Sequence, residues 1–162
     1  MSAADELLRA NSLYASHFIK GELPAPPGRR FAVVTCMDAR LDPAKALSLE
    51  EGDAHVIRNA GGLVTDDALR SLAISHWELG TQEVFVIAHT RCGMLALEND
   101  ELRGKIGDAA ADVDFLPFRD LETSVRESVS RVRESPLLPD SYGASGMIYD
   151  VETGRLRVVE PA

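Results

Sequence analysis

Two short motifs in this sequence carry side chains that bind metals. They are Cys36-Met37-Asp38-Ala39-Arg40 and His89-Thr90-Arg91-Cys92-Gly93. Two thiolates and an imidazole are good zinc ligands, and three protein ligands with a fourth position left open are typical of catalytic zinc. The chain has 2 cysteines in all, so a closed site is not favoured. We therefore predict that Cys36, His89 and Cys92 bind a catalytic Zn²⁺.

Asp38 and Arg40 stand two residues apart in the first motif. A carboxylate beside a guanidinium stays ionised and can be held in a bidentate geometry. Two arrangements fit this spacing. Asp38 either accepts a hydrogen bond from water at the metal, while Arg40 holds it, or Asp38 binds the metal itself. We predict that both residues are catalytic and count Asp38 among the candidate metal ligands. A purely structural ion pair is the alternative.

The segments around the two motifs indicate an α/β fold. Apolar, partly β-branched runs at residues 31–35, 54–59 and 84–88 predict buried strands, and helical patterns between them predict a parallel sheet. Ligands bind beyond the carboxyl ends of such strands, where the winding direction reverses. The first motif follows the first run and the second motif follows the third. If winding starts at the first strand, the motifs lie side by side.

Capping residues predict where the helices begin and end. Asp42-Pro43 begins a short helix that is expected to end at Gly52. Thr65 begins a longer helix that ends near Gly80 and contributes a stripe of core residues, Leu69, Leu72, Ala73 and Trp77. Apolar spacing predicts further helices over residues 5–20 and 121–132. No element is predicted over residues 99–114.

The C-terminal segment GMIYDVETGRLRVV reads as two short strands around a turn at Thr153-Gly154. We therefore expect a single α/β domain over residues 1–162. It has a four-stranded, mainly parallel sheet flanked by helices, with an additional C-terminal edge strand. Residues 1–27 form an N-terminal helix and a proline-rich linker.

Composition limits the classes of function. Of the 162 residues, 45% are hydrophobic, which suffices for one core. The net charge of -9 argues against nucleic acid, because phosphate binding needs a basic surface. The N-terminal residues MSAADELLRA lack a signal-peptide pattern, and the apolar runs are too short to span a membrane. We therefore predict a cytoplasmic protein with no nucleic-acid or membrane partner.

The order Cys-x-Asp-x-Arg, then His-x-x-Cys, resembles the β-carbonic anhydrases. The segment GDAHVIRNAGG between the motifs and the closing YDVETGRLRVV are also similar to that family, so that the resemblance covers residues 31–159. It implies zinc at the three predicted ligands and reversible hydration of carbon dioxide to bicarbonate and a proton. It also implies a homodimer or higher homo-oligomer, in which the N-terminal helix packs on the partner.

Three residues in two glycine-containing segments are candidate substrate contacts. The segment Asn59-Ala60-Gly61-Gly62 is either a simple turn or a loop that presents backbone N–H groups to an anion, and we take Asn59 and Gly61 as candidate substrate-binding residues. Gly93 is either a helix-entry residue or a residue that leaves room for substrate beside the metal.

The sequence departs from family subgroups at two positions. Pro27 stands where plant-type members carry a substrate-holding glutamine, and Val33 stands where members with an inhibitory bicarbonate pocket carry tryptophan. Carbonyl sulfide and carbon disulfide, which related enzymes hydrolyse, therefore stay open as substrates. The same residues would also fit a non-catalytic zinc protein or a Cys36–Cys92 redox pair.

Overall fold

The computed structural model describes residues 2–161 and contains one five-stranded sheet flanked by helices. The strands are β1 Phe31–Cys36, β2 His55–Asn59, β3 Glu83–His89, β4 Gly143–Tyr149 and β5 Leu156–Val159. The helices are α1 Ala3–Ala15, α2 Pro43–Leu47, α3 Asp66–Trp77, α4 Asn99–Ile106 and α5 Leu121–Arg133. Short 3₁₀ turns occupy residues 60–62, 93–95 and 108–110.

The strand order is β2-β1-β3-β4-β5. The first four strands are parallel, and β5 pairs antiparallel with β4 at one edge. The predicted architecture is therefore confirmed. The chain winds from β1 to β2 on one side and then places β3 on the other side of β1, so the carboxyl ends of β1 and β3 are neighbours. This is the reversal point that the two motifs require.

The main core fills one face of the sheet, under α3 and α5. Val34, Leu72, Val86, Val125 and Ile148 are fully or almost fully buried in it. The opposite face holds a smaller cluster of Phe31, Val33 and Ile87, and α2 with its following loop covers only part of that face. The sheet is thus well packed on one side and thinly covered on the other.

The predicted end of α2 at Gly52 is wrong. The helix ends at Leu47, and Ser48 follows in the left-handed region with a φ of 50°. The backbone N–H groups of Ser48 and Leu49 donate to carbonyls of the preceding turn, which closes the helix without glycine. Gly52, with a φ of 90°, instead shapes the turn that leads into β2.

The assignment of Trp77 to the core is also wrong. Leu69 and Leu72 are buried as predicted, but the side chain of Trp77 is 64% exposed. Trp77 is the last residue of α3, and its Nε1–H donates to the carbonyl of Leu137 at 2.9 Å. The indole therefore lies on the surface and ties the helix end to a neighbouring loop.

The N-terminal helix and the segment 99–114 both differ from what the sequence predicts. The first helix is shorter than residues 5–20 and ends at Ala15, and no residue of α1 is buried. The segment 99–114 contains α4 and the 3₁₀ turn at residues 108–110. Within residues 2–161, no helix is long and apolar enough to cross a membrane.

Candidate metal centre

The two motifs meet at the carboxyl ends of β1 and β3. Cys36 is the last residue of β1 and His89 is the last residue of β3, while Cys92 follows after a short turn. Their ligand atoms all lie within 4.8 Å of one another, and all three residues are buried. The structure thus brings together the three residues that were predicted from separate parts of the sequence.

The imidazole of His89 is oriented for metal binding. Its Nδ1 lies 2.9 Å from the carbonyl oxygen of Thr90. A carbonyl oxygen can only accept, so Nδ1 carries the proton and Nε2 keeps its lone pair. Nε2 is buried and has no hydrogen-bond partner among residues 2–161. A buried polar atom left in this state fits a metal ligand, because a metal would supply the missing partner.

The two cysteines are free and close to each other. Burial, and in addition the neighbouring Cys36, raise the pKa of the Cys92 thiol to about 11. Without a metal, Cys92 therefore keeps its proton at neutral pH. Zinc binds thiolates, so metal binding has to release this proton. The donor set of two sulfurs and one imidazole nitrogen fits Zn²⁺ with an open fourth position.

Arg40 holds Asp38 at the edge of this centre. The guanidinium donates from Nε to Oδ1 at 3.0 Å and from its terminal nitrogen to Oδ2 at 2.7 Å, and the Arg40 backbone N–H donates to Oδ1 at 2.9 Å. These bonds hold the pKa of Asp38 well below its usual range, so the carboxylate stays ionised. Its Oδ2 lies 3.7 Å from Nε2 of His89. The structure thus has the paired arrangement, and Asp38 is not part of the three-residue ligand group.

Arg40 also joins the two motifs. Its guanidinium donates to the carbonyl oxygen of Arg91 at 3.0 Å. Arg91 has a φ of 55°, and its side chain lies 3.0 Å from the Glu152 carboxylate in the β4–β5 turn. The neighbouring Thr90 donates its backbone N–H to the carbonyl of Tyr149. The second motif is thus anchored on the C-terminal hairpin, and Arg40 links it to the first.

The glycine-rich segment after β2 packs against the end of β1. A Cβ atom on Gly62 would lie 2.8 Å from the backbone nitrogen of Cys36, and Gly62 has a φ of 67°. The Asn59 side chain donates to the carbonyl of Leu63 at 2.8 Å and accepts from its N–H at 2.9 Å. Gly61 is buried beside Phe118. In the structure, the Asn59 amide therefore serves the loop itself.

Gly93 begins the 3₁₀ turn that follows Cys92. It is exposed, and a Cβ atom at this position would meet no atom within 4 Å. Open space therefore adjoins one of the ligand residues. This arrangement is compatible with the predicted substrate role of Gly93, which stays a prediction together with those of Asn59 and Gly61.

Comparisons with known proteins match this architecture. The carbonic anhydrase family profile matches residues 31–114. The chain is 44% identical to "Beta-carbonic anhydrase 1" of Mycobacterium tuberculosis, over 99% of this chain and 100% of that protein. The chain belongs to the β-carbonic anhydrase family. The crystal structure of a carbonic anhydrase from Streptococcus mutans has a TM-score of 0.92, with 48% identity over 99% of both chains. A "Carbon disulfide hydrolase" of Acidithiobacillus thiooxidans is 35% identical over 86% of this chain and 81% of its own.

Membership of the β-carbonic anhydrases, which are zinc enzymes, agrees with the donor set. Zinc is therefore the cofactor of this protein, with the buried Cys36-His89-Cys92 group to bind it.

Sequence reasoning missed Arg58 and the ion pair between Arg91 and Glu152 in this β-carbonic anhydrase. Arg58 lies on β2, and its guanidinium contacts the loop that follows Cys36. The parallel register, which pairs Thr35 with Arg58, places the side chain beside the end of β1. Arg58 could therefore be found only from this register, which no local pattern in the sequence gives. No local pattern connects Arg91 with Glu152, because the two meet only after the hairpin has folded onto β3.

Proposed function

We propose that this chain catalyses the reversible hydration of carbon dioxide to bicarbonate and a proton. The observation that carries the proposal is the unpartnered, buried Nε2 of His89, which shares one small space with the sulfur atoms of Cys36 and Cys92 among the described residues 2–161. An ionised carboxylate, Asp38, stands beside this group. Family membership supports the same reaction, since relatives with 44–48% identity over nearly their full length are named carbonic anhydrases.

Each ligand residue has a defined task in this reaction. Cys36, His89 and Cys92 would hold Zn²⁺, and the bond from His89 Nδ1–H to the Thr90 carbonyl keeps Nε2 directed toward the two sulfur atoms. When bound, zinc would act as a Lewis acid that makes water a stronger nucleophile. Two thiolates reduce the net charge of the centre compared with three histidines, so we expect this activation to need a more alkaline pH.

Asp38 is the group that orients the attacking water. An ionised carboxylate can only accept, so it fixes the direction of a water O–H and leaves a water lone pair free to face the substrate. Arg40 keeps Asp38 ionised and directs it into the centre through two side-chain bonds. We propose Asn59, Gly61 and Gly93 as residues of the substrate site. Gly93 would contribute the space that it leaves open, and Asn59 and Gly61 would contribute the loop that borders β1.

Carbon disulfide or carbonyl sulfide hydrolysis is the rival function. The relatives named carbon disulfide hydrolases are less similar, at most 35% identical, and this chain covers 81% to 87% of their length. Hydrolysis of either compound needs the same ligands and the same carboxylate. The difference would lie in access to the metal, so the two functions are separated by substrate assays.

The decisive experiment combines metal analysis with parallel assays on one preparation. We expect one zinc per chain and rapid hydration of carbon dioxide, with much slower hydrolysis of carbon disulfide and carbonyl sulfide. Substitution of Cys36, His89 or Cys92 by serine or alanine should remove the zinc and the activity together. Hydrolysis of carbon disulfide without hydration of carbon dioxide would select the rival. Full activity after exhaustive chelation, with no zinc detected, would exclude both zinc functions.

A second copy of this chain is the partner that we propose. The exposed apolar side chains of α1 include Leu7, Leu8 and Leu13, each more than 65% exposed. A shallow apolar groove lies on the thinly covered face of the sheet, with Phe31, Phe85 and Met147 in its lining. A homodimer that packs α1 of each chain on the partner would bury the apolar side chains of the helix.

The proposed compartment follows from the chemistry of the two cysteine ligands. Zinc binding needs Cys36 and Cys92 as thiolates, which persist where thiols are kept reduced, so we propose the cytoplasm.

All five strands belong to one sheet, and α3 and α5 share one core, which supports a single domain over residues 1–162. Residues 1–27 would then serve as its dimerisation arm and linker.

A further inference from the structure

Arg58 donates three hydrogen bonds to one short loop. Its Nε–H donates to the carbonyl oxygen of Cys36 at 2.9 Å. One terminal nitrogen donates to the carbonyls of Asp38 at 2.8 Å and Leu41 at 2.9 Å. No carboxylate lies within salt-bridge distance of this guanidinium anywhere in residues 2–161. Its polar contacts in the structure therefore all go to the backbone of the loop that carries the first motif.

The loop has few other restraints. It begins at the buried Cys36 and ends at the buried Leu41, and the residues between them are largely exposed. The Met37 N–H donates to the carbonyl of Asn59, and the Leu41 N–H donates to the carbonyl of Asp38. The former holds only the start of the loop, and the latter lies within the loop itself. The Arg40 side chain bonds the middle of the loop to the carbonyl of Arg91. Among the described residues, Arg58 alone bonds to its beginning, middle and end.

A guanidinium can fix a loop in a way that a single hydrogen bond cannot. Its N–H groups are planar and point in set directions, so three carbonyls that bind it also become fixed relative to one another. One of these carbonyls belongs to Asp38 itself. When the Asp38 backbone is fixed, the direction of its Cα–Cβ bond is fixed as well, and the bonds from Arg40 then hold the carboxylate beside the metal centre. The same guanidinium holds the backbone of a zinc ligand, Cys36, in register with that carboxylate.

We propose that Arg58 is a positioning residue of the active site, whose guanidinium holds the Cys36–Leu41 loop so that the Asp38 carboxylate faces the metal. This role deepens the proposed function and rests on it. Arg58 acts through Asp38, since its hydrogen bonds within residues 2–161 go to backbone carbonyls and none goes to a donor atom of the three metal ligands. Loss of Arg58 should therefore lower the rate of the chemical step more than it weakens substrate binding or zinc retention.

The test compares Arg58→Gln and Arg58→Lys with the wild type as zinc-loaded proteins. We expect Arg58→Gln to retain one zinc per chain, to lower kcat by at least about 10-fold and to change KM by less than about 3-fold, the pattern of an interaction used mainly in the transition state. Hydrogen–deuterium exchange should speed up in the peptide that contains residues 37–41 and stay unchanged in β1 and β3. Arg58→Lys should recover part of both effects, since an ammonium donates without the planar geometry.

Arg133→Gln is the matched control. Arg133 also donates to a backbone carbonyl, that of Ala144 at 2.8 Å, but at the far end of α5. We expect wild-type kcat and wild-type exchange in the 37–41 peptide for this variant. The proposal is overturned if Arg58→Gln keeps the wild-type kcat, with or without faster loop exchange, or if Arg133→Gln loses as much activity. If Arg58→Gln fails to fold, Arg58→Lys supplies the same readouts.

The exchange measurement separates this proposal from the proposed function. Faster exchange in the 37–41 peptide reports the loop directly and needs no substrate. If the wild type hydrolyses carbon disulfide and leaves carbon dioxide unchanged, the proposed function fails, and the Arg58 comparison is made with kcat for carbon disulfide.

Discussion

At the scale of single residues, the site depends on how one carboxylate and one imidazole are held. The Arg40 guanidinium binds Asp38 with two bonds and also bonds to the carbonyl of Arg91 in the other motif. The Thr90 carbonyl holds the proton on Nδ1 of His89. Protein groups thus direct the reactive atoms of both side chains at the same small space.

The first prediction concerns the Asp38–Arg40 pair. Asp38→Asn removes the anionic acceptor, and Arg40→Ala frees Asp38 to take the open position of the metal. Both variants should keep one zinc per chain, because the three ligands remain, while kcat/KM for carbon dioxide falls by about 100-fold or more. Zinc analysis and stopped-flow hydration assays check this result.

A second acid–base pair provides the control for that experiment. Asp67 and Arg70 form an exposed pair on α3, with 2.8 Å between Oδ1 and Nε. Asp67→Asn should keep the wild-type rate. If Asp38→Asn and Arg40→Ala also turn over carbon dioxide at the wild-type rate, the Asp38–Arg40 pair has only a structural role.

At the scale of elements, the close approach of two segments sets the position of Cys36. The 3₁₀ turn at residues 60–62 lies directly against the end of β1, and glycine at position 62 makes this approach possible. Its φ of 67° is in the left-handed region, and the nearest atoms are backbone atoms of Thr35 and Cys36. A side chain here would have to move the strand that carries a zinc ligand.

The second prediction is that Gly62→Ala weakens both the fold and the metal site. A positive φ alone costs a non-glycine residue about 1–2 kcal/mol, and the backbone clash adds to this cost. We expect the free energy of unfolding to fall by about 3 kcal/mol or more. Zinc should also be lost at lower chelator concentrations than from the wild type. Denaturant titration and competition with a chelator measure the two effects.

Gly107→Ala separates the effect of the clash from that of the backbone angle. Gly107 has a φ of 88°, but a Cβ atom there would meet nothing within 4 Å. Because its ψ of -160° places it in a region that glycine alone readily adopts, its substitution should cost about 1–3 kcal/mol and leave zinc retention unchanged. Equal losses of stability and of zinc in the two variants would contradict the role given to Gly62.

At the scale of the whole molecule, the two faces of the sheet differ in cover. The helices α3 and α5 bury one face, whereas α2 covers only part of the other. The helix α1 buries none of its residues within the chain. A helix of 13 residues is marginal on its own in water, so α1 needs a surface to pack on. The proposed homodimer supplies that surface.

The third prediction tests this dimer. Replacing Leu7 and Leu8 together by aspartate should raise the dimer dissociation constant by about 100-fold or more, since each buried leucine contributes about 1.5–3 kcal/mol. Sedimentation velocity over a range of concentrations measures the change. Ile106→Asp, an exposed apolar position on α4, is the control and should leave the dimer intact. A wild type that stays monomeric at high micromolar concentration would contradict the proposal.

Local sequence was enough to specify the three candidate metal ligands, the parallel strands and the starts of α2, α3 and α5. These features depend on local properties: the identity of a ligand, the apolar run of a buried strand, and a cap such as Thr65 at the start of α3. The prediction was wrong where a local pattern is compatible with more than one helix end or with either burial or exposure of a side chain. Ser48, and not Gly52, closes α2. Trp77 is the last residue of α3 and lies on the surface, beyond the part of the helix that packs on the core.

How the motifs are held together depends on tertiary structure alone. The order β2-β1-β3 places Arg58 beside the first motif, and the folded hairpin brings Glu152 to Arg91. The orientation of His89 Nε2 likewise depends on a carbonyl whose direction follows from the turn after β3. These contacts join atoms whose relative positions are set by strand pairing over long separations in sequence. No local pattern encodes them, because the free energy that brings them together comes from the packing of the whole sheet.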